Sequence, residues 1–189
     1  MFKKGNTYKC LKVQEFHNNS FSIVPIRFKD RFDIMNWRND QLYHLRQDVL
    51  LNNETQNKYF NDVVFKLFSE LEPDQILFSF LRDNVCVGYG GLVHIDWTNR
   101  NAEISFLIDT NLESSYFNTF WSNFLYLIEE VAFKELNLHK IYVYSFNLRP
   151  HLYTALENSN YLNEAILKDH KLISNNFVDV LIHSKINLK

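Results

Sequence analysis

Glu103 is the residue of this sequence that is best suited to general-base chemistry. It lies in a short segment, 101–108, in which apolar residues alternate with others, so that Glu103 shares one strand face with Ser105 while apolar side chains take the other. A carboxylate among apolar groups has its pKa raised toward neutrality, which suits removal of a proton near pH 7. The alternative is a structural carboxylate that pairs with Arg100 or His94 across the adjoining turn.

His94 is a second candidate base, because an imidazole titrates near neutral pH. At the end of a strand it can equally be a surface residue. Asp96 follows two residues later, which is a spacing that occurs in metal sites, but the sequence offers no third ligand nearby. Cys10 and Cys86 are too few for a zinc site or a disulfide framework. We therefore predict no metal.

Three of the four glycines are clustered at Gly88, Gly90 and Gly91. Glycine inside a strand weakens it, so such a cluster indicates either a bulge or a close approach by another backbone or a ligand. Both interpretations are open at the level of the sequence.

The elements that must position these residues follow from hydrophobic periodicity. Alternating or apolar runs predict strands, and stripes with helical spacing predict helices, the strongest of which runs from Phe117 to Ala132. The predicted strands are 21–27, 75–81, 85–95, 101–108, 140–146, 161–168 and 177–186, with helices that begin near Asp30, Asn53, Ser114 and Pro150. This order predicts an α+β protein with a mixed sheet of six to seven strands and helices on both faces.

Composition narrows the class of protein. The chain has 189 residues, 46% of them hydrophobic and 16% aromatic, which suits one domain with a substantial core. A net charge of −2 without a basic stripe argues against nucleic acid as a ligand, and no apolar run is long enough to cross a membrane. We expect a cytoplasmic protein, with an N-terminal extension at 1–19, in which Tyr8 to Phe16 could add a strand, and a single domain at 20–189.

Five short strings occur in order along the chain: IMNWRND at 34–40, VGYGGL at 87–92, NAEISF at 101–106, ENSNY at 157–161, and LKDH at 167–170 with FVD at 177–179. Together they resemble motifs of GNAT acetyltransferases, in the branch of ribosomal-protein N-terminal acetyltransferases and sugar-nucleotide N-acetyltransferases. Asn160 stands where the family has glycine, and asparagine is the best substitute in left-handed backbone. The resemblance implies the GNAT fold and acetyl transfer from acetyl-CoA to a primary amine.

The favoured acceptor is a nucleotide-linked amino sugar or another small amine. A protein N-terminus, or a GNAT-like domain that binds without catalysis, are the alternatives. The resemblance places the pantetheine arm of acetyl-CoA along a strand that we identify with Ser105, Phe106, Leu107 and Ile108. Asn147 would lie near the far end of the cofactor.

The loop that grips the pyrophosphate in most GNAT proteins departs from the family pattern here. The segment 109–118 has no glycine and no basic residue, and Glu113 adds a negative charge. One hypothesis is that Ser114 or Ser115 caps the helix and that free amides nearby still bind phosphate. The residues concerned are Ser115, Tyr116, Phe117 and Asn118. The other hypothesis is that this site has decayed.

Many family members carry a tyrosine that protonates the leaving thiolate, at the position of Leu156 here. Tyr153 lies one turn earlier and is therefore the candidate acid. The alternative is that Tyr153 is a core aromatic. The first helix and the loop after it line the acceptor pocket in the family. The candidate acceptor-binding residues are Trp37, Arg38, Tyr43, Arg46, Asp96, Trp97 and His170. Trp37 could instead belong to the core. His170 could close the pocket or contact the second copy of a homodimer.

Overall fold

A single eight-stranded sheet organises the computed structural model, which describes residues 7–188. The strands follow the order β1-β2-β3-β4-β5-β6-β8-β7, and every neighbouring pair is antiparallel except β5 and β6. Their bounds are Phe16–Asn18 (β1), Phe21–Pro25 (β2), Ile76–Arg82 (β3), Val85–Asp96 (β4), Asn101–Ile108 (β5), Lys140–Phe146 (β6), Leu162–Ile173 (β7) and Asn176–Ile186 (β8). The predicted mixed sheet is confirmed, with eight strands rather than six or seven.

Helices cover both faces of the sheet. They are Arg31–Asp40 (α1), Asn53–Tyr59 (α2), Phe65–Leu67 (α3), Thr110–Glu129 (α4) and Pro150–Asn158 (α5), with short 3-10 turns at Phe28–Asp30 and Leu42–His44. A π-helical turn, Phe60–Val64, joins α2 to α3, and another, Glu130–Glu135, extends α4. No helix within 7–188 is both long and apolar enough to span a bilayer.

A large part of the core lies between the sheet and the apolar stripe of α4. The rings of Phe106 and Phe124 stack with their centroids 3.9 Å apart, and Phe80 meets both of them edge-on. Such aromatic contacts add to the free energy of burial. The predicted stripe of α4 is therefore the face that anchors the helix on β3 and β5.

The ladder between β5 and β6 is short. It joins only Asn101 to Lys140, Ala102 to Ile141 and Glu103 to Tyr142. Beyond Glu103 the two strands diverge, so the backbone of residues 104–108 has no partner on the β6 side. A gap between parallel strands leaves hydrogen-bonding groups free to pair with an extended ligand.

The glycine cluster is explained by close backbone approach. A Cβ at Gly88 would come within 2.6 Å of the Leu107 carbonyl oxygen, and a Cβ at Gly91 would overlap the carbonyl oxygen of Ile76. Register shifts adjoin the cluster on both sides, between Phe80 and Leu81 in β3 and after Val93 in β4. Both interpretations drawn from the sequence therefore apply.

The second shift is a bulge at His94. Val93 pairs with Glu103 and Asp96 pairs with Asn101, so β4 carries one residue more than β5 between these pairs. His94 adopts left-handed backbone, with φ of 50°. Left-handed backbone is uncommon outside glycine, with asparagine, aspartate and histidine the most frequent exceptions, and here it sets the direction in which the end of β4 runs.

Several local predictions were wrong. The start of α4 lies at Thr110, capped by the Asp109 carboxylate, which accepts from the Asn111 amide at 2.9 Å. Residues 114–118 are therefore inside the helix, where the amides predicted to bind phosphate are used by the helix itself. The segment from Tyr8 to 15 forms no strand.

Other local predictions were correct. Asn160 has φ of 62°, as expected for a left-handed position after α5. Pro150 is the first residue of α5. The last two strands form a hairpin around Ser174 and Asn175, although β7 is longer than predicted.

Candidate active site

Two adjoining cavities lie between the sheet and the α1–α2 segment. The smaller, of about 220 Å³, occupies the gap between β5 and β6. The larger, of about 650 Å³, lies between α1, α2 and the middle of β4. Five residues line both cavities, which makes them one connected site. These are Arg38, Arg46, Val93, His94 and Ser105.

The smaller cavity is the gap already described between the diverging strands. Its walls are residues 104–106 of β5 and residues 143–146 of β6, and Trp121 and Leu152 contribute from the helices. The indole N–H of Trp121 is buried and has no hydrogen-bond partner within the described chain. A buried donor without an acceptor is costly, so this cavity is suited to a ligand that brings acceptor atoms.

Glu103 lies where the β5–β6 ladder ends, and only 8% of its surface is exposed. Its carboxylate accepts a short hydrogen bond from the Arg46 guanidinium. Arg46 also lies 3.4 Å from the His94 imidazole and 4.2 Å from the centre of the Tyr144 ring. The partner of Glu103 is therefore Arg46, from the α1–α2 segment, rather than Arg100 or His94.

Arg38 is a cation on the wall of the larger cavity. Its guanidinium donates to the Gln47 side chain at 2.7 Å and to the Tyr89 hydroxyl at 2.5 Å. No carboxylate pairs with it within residues 7–188. Asp48 is the one acidic residue among those that line this cavity. Because Arg46 is paired with Glu103, Arg38 is the guanidinium that is left to favour an anionic ligand.

A cation that the sequence analysis missed lies at the start of α4. Arg149, the residue before α5, donates a short hydrogen bond to the Glu113 carboxylate, and its side chain is 8% exposed. It also approaches the His44 ring nitrogens at 3.0 and 3.2 Å, and its Nε is buried without a partner in the described residues. Burial lowers the pKa of Arg149. The signal in the sequence was a basic residue directly before Pro150.

The structure brings six of the predicted site residues together around the two cavities. They are Arg38, Arg46, His94, Glu103, Ser105 and Phe106. The remaining predicted residues line neither cavity. They are Trp37, Tyr43, Asp96, Trp97, Leu107, Ile108, Ser114, Ser115, Tyr116, Phe117, Asn118, Asn147, Tyr153 and His170.

The predicted acceptor residues that miss the cavities have structural roles or lie on the surface. Trp37 belongs to the core, and the Trp97 indole donates to the Pro73 carbonyl at 3.1 Å. Asp96 accepts from the amide and the side chain of Asn99 at 2.8 Å and so holds the turn after β4. The placement of Asp96 and Trp97 at the acceptor mouth was therefore wrong.

Tyr43 and His170 lie at the rim of the site. Tyr43 is exposed and packs edge-on against His44. His170 meets the Tyr144 ring edge-on, with centroids 6.2 Å apart. Tyr144 lines the smaller cavity, so one side chain separates His170 from it.

Several of the predicted cofactor residues make contacts within the protein instead. Leu107 and Ile108 are buried opposite β4, and Phe117 packs against Trp121 and Arg149. The Tyr153 hydroxyl donates to the Asn147 side chain at 3.0 Å. Burial raises the pKa of Tyr153, so its phenol keeps its proton at neutral pH.

No group of three or more His, Cys, Asp or Glu side chains within residues 7–188 has the geometry of a metal site.

His44 makes the stability of the fold sensitive to mild acid. Burial and the adjacent Arg149 lower its pKa from 6.5 to about 3. Because the folded chain resists this protonation and the unfolded chain does not, the contribution is fully present above pH 6.5 and is lost as the pH falls toward 3. Allowing for partial exposure, we expect the free energy of unfolding to drop by about 1 kcal/mol more between pH 7 and pH 5 in the wild type than in His44→Asn.

Urea unfolding at the two pH values measures this difference. The control is His17→Asn, the same replacement at a histidine whose side chain is 64% exposed. Equal slopes for wild type and His44→Asn would contradict the prediction.

Comparison with known proteins agrees with this geometry. The acetyltransferase (GNAT) domain family matches residues 23–182, whereas a search among curated proteins found no match. The fold is similar to that of the spermidine N-acetyltransferase from Vibrio cholerae in complex with CoA and spermine, with a TM-score of 0.76, 18% identity, and 89% of this chain and 96% of that chain covered. Mutant forms of the spermidine/spermine N-acetyltransferase from the same organism give 0.73 at 17% identity, with 89% and 95% covered.

A dodecameric structure of the Vibrio cholerae spermidine N-acetyltransferase in an intermediate state is also similar, with a TM-score of 0.68, 19% identity, and 89% and 95% of the two chains covered. At such identities the likeness concerns the fold. The family match spans most of the chain and confirms the superfamily and the enzyme class predicted from the sequence. The chain belongs to the acetyltransferase (GNAT) domain family.

Proposed function

We propose that the protein transfers an acetyl group from acetyl-CoA to the primary amine of a small molecule that also carries an anionic group, such as a nucleotide-linked amino sugar. The observation that supports this acceptor class is Arg38, a guanidinium without a carboxylate partner in the described chain, on the wall of the 650 Å³ cavity. Arginine is well matched to phosphate and carboxylate groups.

The gap between β5 and β6 fits the donor. Residues 104–106 offer backbone groups that β6 does not use, and the Trp121 indole and Arg149 Nε offer donors that lack acceptors in the described chain. Acetyl-CoA supplies the acetyl thioester and carries the carbonyl and phosphate oxygens that such donors require. These residues are the ones that would hold it.

Glu103 lies between donor and acceptor in this arrangement. It lines the smaller cavity, and its partner Arg46 lines both. An amine that enters from the larger cavity would reach the thioester beside Glu103, which accepts the proton that the amine must lose. His94 is the second candidate for this role. Tyr153 as the acid for the leaving thiolate remains a proposal, since its hydroxyl is bonded to Asn147.

A polyamine is the second candidate acceptor, because the similar Vibrio cholerae enzymes are spermidine N-acetyltransferases. Polyamines carry several positive charges at neutral pH. In the larger cavity they would meet Arg38, which has no carboxylate partner within residues 7–188, beside Arg46, which is paired with Glu103. Like charges at close range raise the free energy of binding, so this cavity favours the anionic acceptor.

Assembly and location are also proposals. We infer a homodimer that uses the last hairpin, because β7 is an edge strand on which Leu162, Ile166 and Leu172 are exposed, and exposed apolar patches mark contact surfaces. Cys10 and Cys86 are free thiols, which agrees with the cytoplasmic location expected from the sequence.

The function is tested by measuring release of the CoA thiol with three acceptors. They are an amino sugar linked to a nucleoside diphosphate, the same amino sugar without the nucleotide, and spermidine. We expect kcat/KM to be about tenfold higher for the linked sugar than for the free one, because a hydrogen bond to a charged group is worth about that factor, and spermidine to be the poorest.

Arg38→Gln is the matched variant. It should remove the preference for the linked sugar and leave turnover of the free sugar unchanged. A preference for spermidine would contradict the anionic acceptor. Acetyl-CoA at 100 times its Kd should raise the free energy of unfolding by about 2.7 kcal/mol. If millimolar acetyl-CoA neither shifts the melting temperature nor supports turnover, the chain is a binding domain without catalysis.

A further inference from the structure

Two positive features converge on one carboxylate at the start of α4. Glu113 lies in the first turns of a 20-residue helix, where the partial positive charge of the helix attracts anions. The Arg149 guanidinium reaches the same carboxylate. Both side chains are largely buried, with 17% and 8% of their surfaces exposed. Arg149 is also one of the residues that line the smaller cavity.

Glu113 does not satisfy the donors around it. A guanidinium carries five N–H groups, and Arg149 Nε has no acceptor within residues 7–188. Another of its nitrogens faces His44, whose ring is within 3.2 Å. Trp121, on the same cavity, holds a second buried donor that has no acceptor there. Buried donors are almost always paired in folded proteins, so two unpaired donors on residues that line one cavity are consistent with a ligand that brings acceptor atoms.

The pair itself is a poor explanation of the arrangement. Removing two charges from water costs about as much as their attraction returns, so a buried ion pair contributes little to stability. Phosphate, by contrast, offers several charged oxygens and pairs with arginine at two points. The start of a helix is likewise suited to phosphate.

We propose that the Glu113 carboxylate is an internal substitute for a phosphate of CoA, so that binding of the donor exchanges Glu113 for a phosphate oxygen at Arg149. This inference rests on the proposed function, since acetyl-CoA brings the phosphates. The exchange needs a rotation of the Glu113 side chain away from Arg149, and this side chain already has 17% of its surface exposed. Glu113 then competes with the donor and lowers its affinity.

The test is a double-mutant cycle on donor binding, which uses wild type, Glu113→Gln, Arg149→Gln and the double variant. Calorimetry gives the Kd of CoA, of dephospho-CoA, which keeps the diphosphate, and of pantetheine, which has no phosphate. We expect Glu113→Gln to bind CoA about tenfold more tightly, the factor that a charged hydrogen bond provides. Pantetheine should bind equally to both.

The cycle separates exchange from simple repulsion. If Glu113 acts by occupying Arg149, its replacement has no effect in the Arg149→Gln background. If it only repels phosphate, the tenfold gain persists there and the proposal is overturned. If Glu113→Gln binds both CoA and dephospho-CoA more tightly than the wild type does, the diphosphate is the group that contacts Arg149. If the gain in affinity is seen for CoA but not for dephospho-CoA, the 3′-phosphate is that group.

Failure of this proposal differs from failure of the proposed function. Unchanged CoA affinity in Glu113→Gln, with wild type that binds CoA, overturns the exchange alone. If the wild type binds no CoA, the proposed function is contradicted. In that case, a Glu113→Gln variant that binds CoA still supports the exchange. A Glu113→Gln variant that also fails to bind CoA overturns the exchange as well. Glu113→Asp, which keeps the charge, is the control for folding and should retain the wild-type Kd within about threefold.

Discussion

Glu103→Gln is expected to lower kcat for acetyl transfer by about 10²-fold at pH 7, the lower end of what general-base catalysis contributes. Glutamine keeps the size of the side chain and can still accept a hydrogen bond from Arg46, but it cannot take the proton that the amine loses. Because glutamine preserves the size of the side chain that Glu103 presents to the smaller cavity, the KM for acetyl-CoA should stay within about twofold. The decrease therefore belongs to the chemical step.

Steady-state kinetics at saturating donor measure this effect. Glu129→Gln is the matched control, since Glu129 pairs with Lys185 at 2.7 Å and lines neither cavity; its kcat should stay within about twofold of wild type. Full turnover by Glu103→Gln at neutral pH would remove Glu103 as the base. His94, which lines both cavities, would then be the group to replace.

Gly90→Ala is expected to cost about 3 kcal/mol in the free energy of unfolding, the upper range for overpacking of a core. The added Cβ would overlap the carbonyl oxygen of Ser105 and lie 2.9 Å from the Phe124 ring. The carbonyl belongs to β5, and the ring is fixed by its stack on Phe106. Neither neighbour can move without displacing the strand that walls the smaller cavity.

Urea unfolding monitored by fluorescence gives this value from the shift of the midpoint, provided that the slope is unchanged. Val85→Ala is the control on the same strand. The Val85 side chain is 64% exposed, so its truncation should change the free energy of unfolding by no more than about 0.5 kcal/mol. A Gly90→Ala protein as stable as that control would show that β4 and β5 can separate locally at no cost.

The sequence predicted elements better than it predicted their ends. The apolar stripe located α4, but a helix whose first turn is polar begins before its stripe does. Asp109 and Thr110 therefore went unrecognised as the start, and the predicted helix began near Ser114, with its free amides at 115–118. That error moved the expected phosphate site by about one turn, and the contact between Arg149 and Glu113 near the start of α4 was not predicted.

Pairs that are distant in the sequence were beyond prediction from spacing. Glu103 was identified from its strand, but its partner Arg46 lies 57 positions away, and Arg149 lies 36 positions from Glu113. Only the order of strands in the sheet brings such residues together. The sequence reveals which chemical groups each element carries, but not which elements meet. Six predicted residues therefore surround the cavities, and the others do not.

The bulge in β4 has a consequence for insertions and deletions. Deletion of His94 would leave Val93 and Ile95 consecutive and would restore an ordinary ladder with β5, with Ile95 opposite Ala102. The left-handed backbone, which costs about 1 kcal/mol or more at a histidine, would disappear with it. The wall shared by the two cavities would lose its imidazole and change direction while every other residue kept its identity. A change in strand length, together with the loss of one side chain, would thus alter the shape of the wall that an acceptor meets.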